Sequence, residues 1–551
     1  MMEKYVIGLD FGSLSGRALL VRLSDGAEMG SCVMDYPHGI LDEVLPETGE
    51  RLPPDFALQH PQDYLDVLKT VVPGVLRKTG VSADAVVGLG LDFTNCTVLP
   101  ISADLTPLCL TERFRGEKHA YVKLWKHHAA SGYAARITKI ARERGEHFLP
   151  YYGGSVSAEW LFPKIWETLE CAPEVYAAAD GFTEAGDWLA GLLTGKRFVS
   201  YPCAAAKAFY LYGEGYPSED FFAALHPDLR HVVREKLNAP MVFPTQSCGT
   251  LCPEMAELLG LPQTVTVACP LPDAHGATAA LRMNRPGDLC AIFGTSNCYL
   301  LLGDGFRPVP GLCTVLRDTM TPGFWGYESG LCCAGDLLAW ASERIAPGDY
   351  RDAAEREGIS VLQYMIRLAS EKKPGETGLL ALDWWNGNRS ILDDGDLTGL
   401  LVGMTLTTKA EDILRALIEA NAFATRLIFE HCRANGVEIG RLIAAGGVAR
   451  KDPFTMQLYA DVLRLEIRVA GSAQAPALAS AIHGAAAAGE DFALCMEKMG
   501  KLSDTVYRPN EEASAVYDRL YAEYVTLHDY FGRGENDVMK RLKALRREVQ
   551  S

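Results

Sequence analysis

Asp10 stands two residues ahead of Gly12, with Ser13 and Ser15 following, in the run Tyr5-Val-Ile-Gly-Leu-Asp-Phe-Gly-Ser-Leu-Ser-Gly-Arg-Ala-Leu-Leu-Val-Arg22. A turn of such small residues exposes backbone N–H groups and hydroxyls that can surround phosphate oxygens. A carboxylate beside them repels phosphate unless a divalent cation sits between. Asp10 is therefore a candidate to hold Mg2+, directly or through water. Halfway along the chain, Gly287-Asp-Leu-Cys-Ala-Ile-Phe-Gly-Thr-Ser-Asn-Cys-Tyr-Leu-Leu-Leu-Gly303 repeats the plan, with Gly294, Thr295 and Ser296 at the tip. One such hairpin is an ordinary turn. Two at equivalent places point to a pair of phosphate loops.

A third segment, Ile443-Ala-Ala-Gly-Gly-Val-Ala-Arg-Lys-Asp452, reads as a strand running into Gly446 and Gly447 and then a helix beginning near Pro453. Glycines there admit a ring or a ribose close to the backbone, and a helix N-terminus favours negative charge. Taken alone it reads first as a tight strand-to-helix turn. Cys248 and Cys252 have metal-like spacing but no second pair to complete a zinc site, so they read as ordinary core or loop cysteines.

These groups need a frame. Apolar β-formers flank both hairpin turns, and Val86-Val-Gly-Leu-Gly-Leu-Asp92 and Gln263-Thr-Val-Thr-Val-Ala-Cys269 read as further buried strands. Ile413 to Asn435 reads as helix and Arg441 to Gly447 as strand, so each half is an α/β domain. Duplication of one architecture explains the repeat. The boundary falls where Asn284-Arg-Pro-Gly287 breaks an Ala-rich helical stretch, giving domains 1–283 and 284–551. From Glu511 onward the chain reads as helical. Val538, Met539, Leu542, Leu545 and Val549 form one apolar stripe, which packs on its own domain or joins two copies in a homodimer.

At 551 residues the chain is long enough for two large cores. A hydrophobic content of 48% and a charged content of 22% are those of an ordinary globular protein. A net charge of −17 argues against nucleic acid or an anionic membrane as the main partner. No apolar run approaches the roughly 18 residues of a spanning helix, and Asp10 comes too early for a signal-peptide apolar region, so a cytoplasmic location is expected. The 15 cysteines lack a regular framework and are expected to be reduced.

The paired hairpins, the Gly-Gly segment with its Met456-Gln-Leu-Tyr-Ala-Asp-Val462 helix, and the helix Gln474-Ala-Pro-Ala-Leu-Ala-Ser-Ala-Ile482 together resemble the FGGY carbohydrate kinases over nearly the whole chain. Five strings narrow the resemblance to the branch that phosphorylates L-ribulose: Leu91-Asp-Phe-Thr-Asn-Cys-Thr97, Lys123-Leu-Trp-Lys-His-His128, Ser157-Ala-Glu-Trp-Leu-Phe-Pro-Lys164, Tyr327-Glu-Ser-Gly330 and Asp383-Trp-Trp-Asn-Gly-Asn-Arg389. The resemblance implies two actin-like ATPase (ribonuclease H-like) domains flanking a catalytic cleft, with sugar and base on the N-terminal domain and adenosine on the C-terminal one. It implies ATP and Mg2+ as cofactors and a small ketopentose as acceptor.

By the same resemblance Asp273, in Pro272-Asp-Ala-His275, matches the general base, and Asn95, Lys207 and Glu328 match sugar-binding positions. A ketopentose presents only hydroxyls and one carbonyl, which Lys207 can donate to and Glu328 can accept from. Outside the family match, each of these charges reads as a solvated surface group. Asn95 stands where a small residue is commoner, Gly276 where Ala is, and Ser13 where Thr is; the first bears on substrate preference. Phosphoryl transfer needs in-line positioning, charge neutralisation and a base near the nucleophile. Two other readings stay open: a kinase for D-ribulose or another pentulose or pentitol, and a non-catalytic actin-like ATP-binding protein. The second has no reason to keep Asp273, Lys207 and Glu328 together.

Overall fold

The computed structural model describes residues 3–550, which cluster into two units. The first comprises Met1–Asn284, Leu316–Gly326 and Gln474–Lys501; the second comprises Arg285–Val315, Tyr327–Ala473 and Leu502–Ser551. The chain first passes between the units after Asn284, beside the expected boundary at 283/284, and passes between them again later. The segments Leu316–Gly326 and Gln474–Lys501 cluster with the first unit, although they lie in the second half of the sequence.

The first unit is built on a seven-stranded sheet. Its order is Ser247–Thr250, Thr266–Ala268, Val86–Phe93, Tyr5–Phe11, Ser15–Arg22 and Glu28–Asp35, with Leu271–Pro272 also paired to Val86–Phe93. Tyr5–Phe11 is antiparallel to Ser15–Arg22 and parallel to Val86–Phe93. Both faces of these strands are covered, which is why they read as near-continuous apolar runs. Ile7, Leu9 and Phe11 point to one side and pack with Tyr64, Val67, Leu68 and Val71 of the helix Pro61–Thr79. On the other side Val6 packs with Ala477, Leu478 and Ile482 of the helix Ala475–Ala487.

That second contact is backbone on backbone. A Cβ added at Gly8 would lie 1.8 Å from the carbonyl oxygen of Ala477, and one at Gly90 1.8 Å from that of Ser480. The strand glycines and the Ala-rich helix therefore require each other. This is the physical reason the 474–501 segment joins the first unit.

The second sheet is ordered Thr314–Arg317, Trp325–Leu331, Asn297–Gly303, Asp288–Phe293, Arg441–Gly446, Ile467–Ala470 and Leu502–Tyr507, and its five strands from Asn297 onward in this order lie wholly in the second unit. Its centre repeats the first: an antiparallel hairpin, here Asp288–Phe293 with Asn297–Gly303, beside a parallel strand, here Arg441–Gly446. The duplication read from the two hairpins is thus present in the fold. Ala410–Ala434 is a 25-residue helix with eighteen buried positions, and Pro453–Leu463 starts on Pro453 with Asp452 accepting from Thr455 N–H at 3.1 Å.

The C-terminal apolar stripe is covered at its start and exposed along the rest. The helix Val538–Gln550 buries Met539, whereas Leu542, Leu545 and Val549 are 61%, 55% and 78% exposed. Lys540 pairs with Asp394 at 2.6 Å, and Lys543 and Arg547 reach Asp396 at 3.2 and 3.0 Å. These surface pairs and the buried Met539 link this helix to its unit. All 15 cysteines are free thiols, and no helix among the described residues is long and apolar enough to cross a membrane.

Candidate active site

Three parallel strand ends of the first unit bring carboxylates together. Asp10 is in register with Asp92, Leu271 is also opposite Asp92, and Asp273 follows Pro272 into the helix Asp273–Ala280. Asp10 is 5% and Asp92 0% exposed. Burial raises the Asp10 carboxyl, opposed by the Arg17 guanidinium, whose Nε lies 3.3 Å from Asp10 Oδ2. Burial pushes Asp92 up further, and the neighbouring charges of Asp10 and Asp273 add to this while a hydrogen bond from Ser480 opposes it. Ser480 Oγ donates to Asp92 Oδ2 at 2.6 Å. No other side-chain or backbone donor among the described residues reaches the buried Oδ1. A proton shared with Asp10, or a hard cation bound by oxygen ligands, is what such a pair accommodates.

The hairpin tip beside these carboxylates is braced from outside. Gly12 N–H closes the turn on Ser15 O at 3.0 Å. Trp125 Nε1 donates to Ser13 Oγ at 3.0 Å, which leaves the Ser13 O–H to donate elsewhere. Gln59 Nε2 donates to Ser13 O at 2.8 Å, and Tyr64 O–H fixes Gln59 by donating to its Oε1 at 2.6 Å. Arg17 Nη2 donates to Ser15 Oγ at 3.2 Å. The tip thus presents the Ser13 and Ser15 hydroxyls in orientations fixed by Trp125 and Arg17.

The candidate acceptor residues divide between the units. Asn95 lies just past the end of Val86–Phe93, and its Oδ1 accepts from Cys96 N–H at 2.9 Å. Cys96 is held at φ 62, in the left-handed region. Lys207 ends the helix Tyr201–Lys207, is 6% exposed, and places Nζ 5.7 Å from the Trp160 ring centroid. Lys207 and Glu184 both act on the buried Cys96 thiol, so these groups share one neighbourhood. Asp273 is half-buried in the first helical turn, and its Oδ1 accepts from Ala274 N–H at 2.7 Å. Glu328 belongs to the second unit, on Trp325–Leu331, where its Oε2 accepts from Thr314 O–H at 3.1 Å.

In the second unit the hairpin of Gly294, Thr295 and Ser296 closes with Gly294 N–H on Ser296 O at 3.2 Å. The start of the helix Gly335–Arg344 packs on it: Gly335 N–H donates to Gly294 O at 3.0 Å and Asp336 N–H to Thr295 O at 3.2 Å. Gly446 is opposite Phe293 and sits at φ 95, where a Cβ would be 2.2 Å from Phe293 O. Beside Gly447 a Cβ would meet nothing within 4 Å. A cavity lined by Gly294, Gly335, Leu338, Val448 and Tyr459 adjoins both segments. Gly446 closes the turn, and the space beside Gly447 is open.

Strand equivalence makes the two hairpins chemically unlike. The register that pairs Phe11 with Phe93 pairs Phe293 with Gly446, so Asp10 and Asp92 correspond to Ile292 and Ala445. Only the first unit has carboxylates at this level. Sequence reasoning singled out Asp10 and Asp273 but gave no role to Asp92, Arg17, Gln59 or Trp125. Asp92 had a signal, an acid ending an apolar strand; the others are recognisable only from contacts with Ser13 or Asp10.

Residues 289–488 match the family model described as the FGGY family of carbohydrate kinases, C-terminal domain. A protein of Geobacillus thermodenitrificans named ribulokinase is 48% identical over 98% of this chain and 97% of its own length. One of Mycolicibacterium smegmatis, with the same name, is 45% identical over 99% and 97%. Among solved structures, a gluconate kinase from Lactobacillus acidophilus superposes with a TM-score of 0.80 at 18% identity, covering 97% of this chain and 99% of that one. A xylulose kinase from the same organism gives 0.79 at 18%, covering 96% and 99%. At such identities the structures speak for the fold.

Proposed function

Since the chain belongs to the FGGY family of carbohydrate kinases, we propose that it transfers the γ-phosphoryl group of ATP to the terminal O5 hydroxyl of L-ribulose, giving L-ribulose 5-phosphate and ADP. The observation that carries the reading is the meeting of Asp10, Asp92 and Asp273 at one sheet end, in a chain that ribulokinases match along its whole length. L-arabinose breakdown is the usual setting of this reaction.

In this reading Asp273 takes the proton of O5 as that oxygen attacks the γ-phosphorus and the bond to ADP breaks. Lys207 and Asn95 donate to acceptor oxygens, and Glu328 accepts from acceptor hydroxyls. Ser13 and Ser15 in one hairpin, and Thr295 and Ser296 in the other, donate to phosphate oxygens, while Gly12 and Gly294 close the turns that present them. Gly446 and Gly447 give the adenosine its close approach to the backbone. Asp10 and Asp92 fit Mg2+, which when bound neutralises phosphate charge. Excluding water from the acceptor site prevents hydrolysis of ATP in place of transfer.

A second reading, phosphorylation of D-ribulose or another pentulose or pentitol, is favoured by one observation. Asn95 uses its Oδ1 on Cys96, so it presents an amide N–H2 where a small residue is commoner. The product decides the chemistry. With ATP, Mg2+ and L-ribulose, phosphorus and carbon NMR should give a phosphomonoester on the terminal carbon and one ADP per sugar phosphate. ADP without sugar phosphate, or phosphate on another carbon, overturns the proposal.

A further inference from the structure

Lys164 is a buried ammonium that takes no part in the phosphoryl transfer. It lies on the helix Leu161–Cys171 and is 1% exposed. Its three N–H donors all go to backbone carbonyls: Cys96 O, Leu124 O at 2.9 Å and Lys123 O at 3.2 Å. Burying a charge costs several kcal/mol in general. Burial lowers the Lys164 amine to about 8, with the nearby charge of Glu184 opposing. The three carbonyls that accept from the ammonium offset that penalty.

What it holds is the junction of two segments. Cys96 O belongs to the turn Thr94 to Thr97, closed by Thr97 O–H donating to Thr94 O at 2.7 Å. Glu184 secures the other side of that turn, its Oε2 accepting from Thr97 N–H at 2.9 Å. Lys123 O and Leu124 O open the segment that carries Trp125, whose indole donates to Ser13 Oγ. Glu167, one turn along the same helix, anchors that segment by accepting from Lys123 Nζ at 2.6 Å and from His127 Nε2 at 2.9 Å. One helix therefore ties the turn bearing Asn95 to the segment that orients Ser13. The strings Leu91 to Thr97, Lys123 to His128 and Ser157 to Lys164, far apart in sequence, are three sides of this junction.

We propose that Lys164 and Glu184 are positioning residues that clamp the Thr94 to Thr97 turn, setting the register between the acceptor contact Asn95 and the phosphate-loop hydroxyl of Ser13. The clamp rests on the reading of Asn95 as an acceptor contact. Lys164→Met removes the donors at similar length. Glu184→Leu removes the acceptor, and Glu184→Gln keeps an oxygen for Thr97 N–H. For K164M and E184L the KM of the pentulose should rise about tenfold while the KM of ATP stays within about twofold, and E184Q should stay within about threefold of wild type.

Hydrogen exchange of the same full-length proteins needs no acceptor. It should show faster exchange at residues 94–97 in both loss variants and unchanged exchange in the strand Tyr5–Phe11. Pentulose KM values within about twofold of wild type, or exchange that speeds up throughout the first unit, overturn the clamp. So does failure of both K164M and E184L to fold, which would assign the pair to core support. A wild-type protein that phosphorylates no pentulose sinks the functional reading instead, and the exchange pattern then decides the clamp by itself.

Discussion

In the proposed reaction Asp273 is the proton acceptor, and its surroundings make a clean substitution available. Its Oδ1 accepts from Ala274 N–H, a bond that an Asn oxygen reproduces. Asp273→Asn therefore keeps the turn and removes the proton acceptor. Its kcat should fall by about 10²-fold to 10⁴-fold with ATP affinity nearly unchanged. Single-turnover rates at saturating ATP and sugar check this, and near-wild-type turnover would reduce Asp273 to a helix-start residue. The sequence singles out Asp10 because a carboxylate beside a phosphate turn repels phosphate unless a cation intervenes, and Asp273 through the family match of its Pro-Asp-Ala-His turn; the structure places both at one sheet end. Asp92 was hidden by its own strand: Val86–Phe93 reads as apolar core, and only the register with Asp10 and the hydrogen bond from Ser480, 388 residues away, give it a role.

Among elements, local turn chemistry and distant packing were not equally readable. Both hairpins and the Gly446–Gly447 turn were visible because small residues between β-formers admit few conformations. The seat of the helix Ala475–Ala487 was not, since its partners Gly8, Gly88 and Gly90 are hundreds of residues away and a strand glycine carries no address. Gly90→Ala tests the contact directly. Its Cβ would overlap Ser480 O, so it should destabilise the protein by on the order of 3 kcal/mol or more and lower the thermal midpoint, whereas Gly447→Ala should leave the midpoint unchanged.

The Asp383-to-Arg389 string gains a structural reading at the same scale. Asp383 is 5% exposed, accepts from Tyr524 O–H at 3.3 Å, and is pushed up to about 7 by burial. A raised carboxyl binds its proton more tightly in the folded state. Its contribution is thus fully present below about pH 4 and is lost as pH rises through about 7. Asp383→Asn should gain thermal stability relative to wild type between pH 5 and pH 8 in buffers on the order of 0.1 M salt. A stability difference that does not change over that interval would contradict the buried, protonated assignment.

For the whole molecule, the sequence conveys a duplicated α/β protein but not its division. A repeat marks where each architecture begins, while a helix that returns late in the chain to an early sheet leaves no mark at either end. Residues 1–284 expressed alone would expose the face of Tyr5–Phe11 and Val86–Phe93 that Ala475–Ala487 covers. That fragment should aggregate, and joining residues 474–501 to it through a flexible linker should improve its soluble yield; equal solubility of the two would contradict the assignment of that segment.

Whether this sugar kinase takes L-ribulose as its acceptor is decided by a kcat/KM panel over L-ribulose, D-ribulose, L-xylulose, D-xylulose and ribitol with ATP and Mg2+. L-ribulose should be the best acceptor, with activity that depends on Asp273. A value for D-ribulose or ribitol more than about tenfold above that for L-ribulose, a gap of roughly 1.4 kcal/mol in transition-state stabilisation, would contradict it.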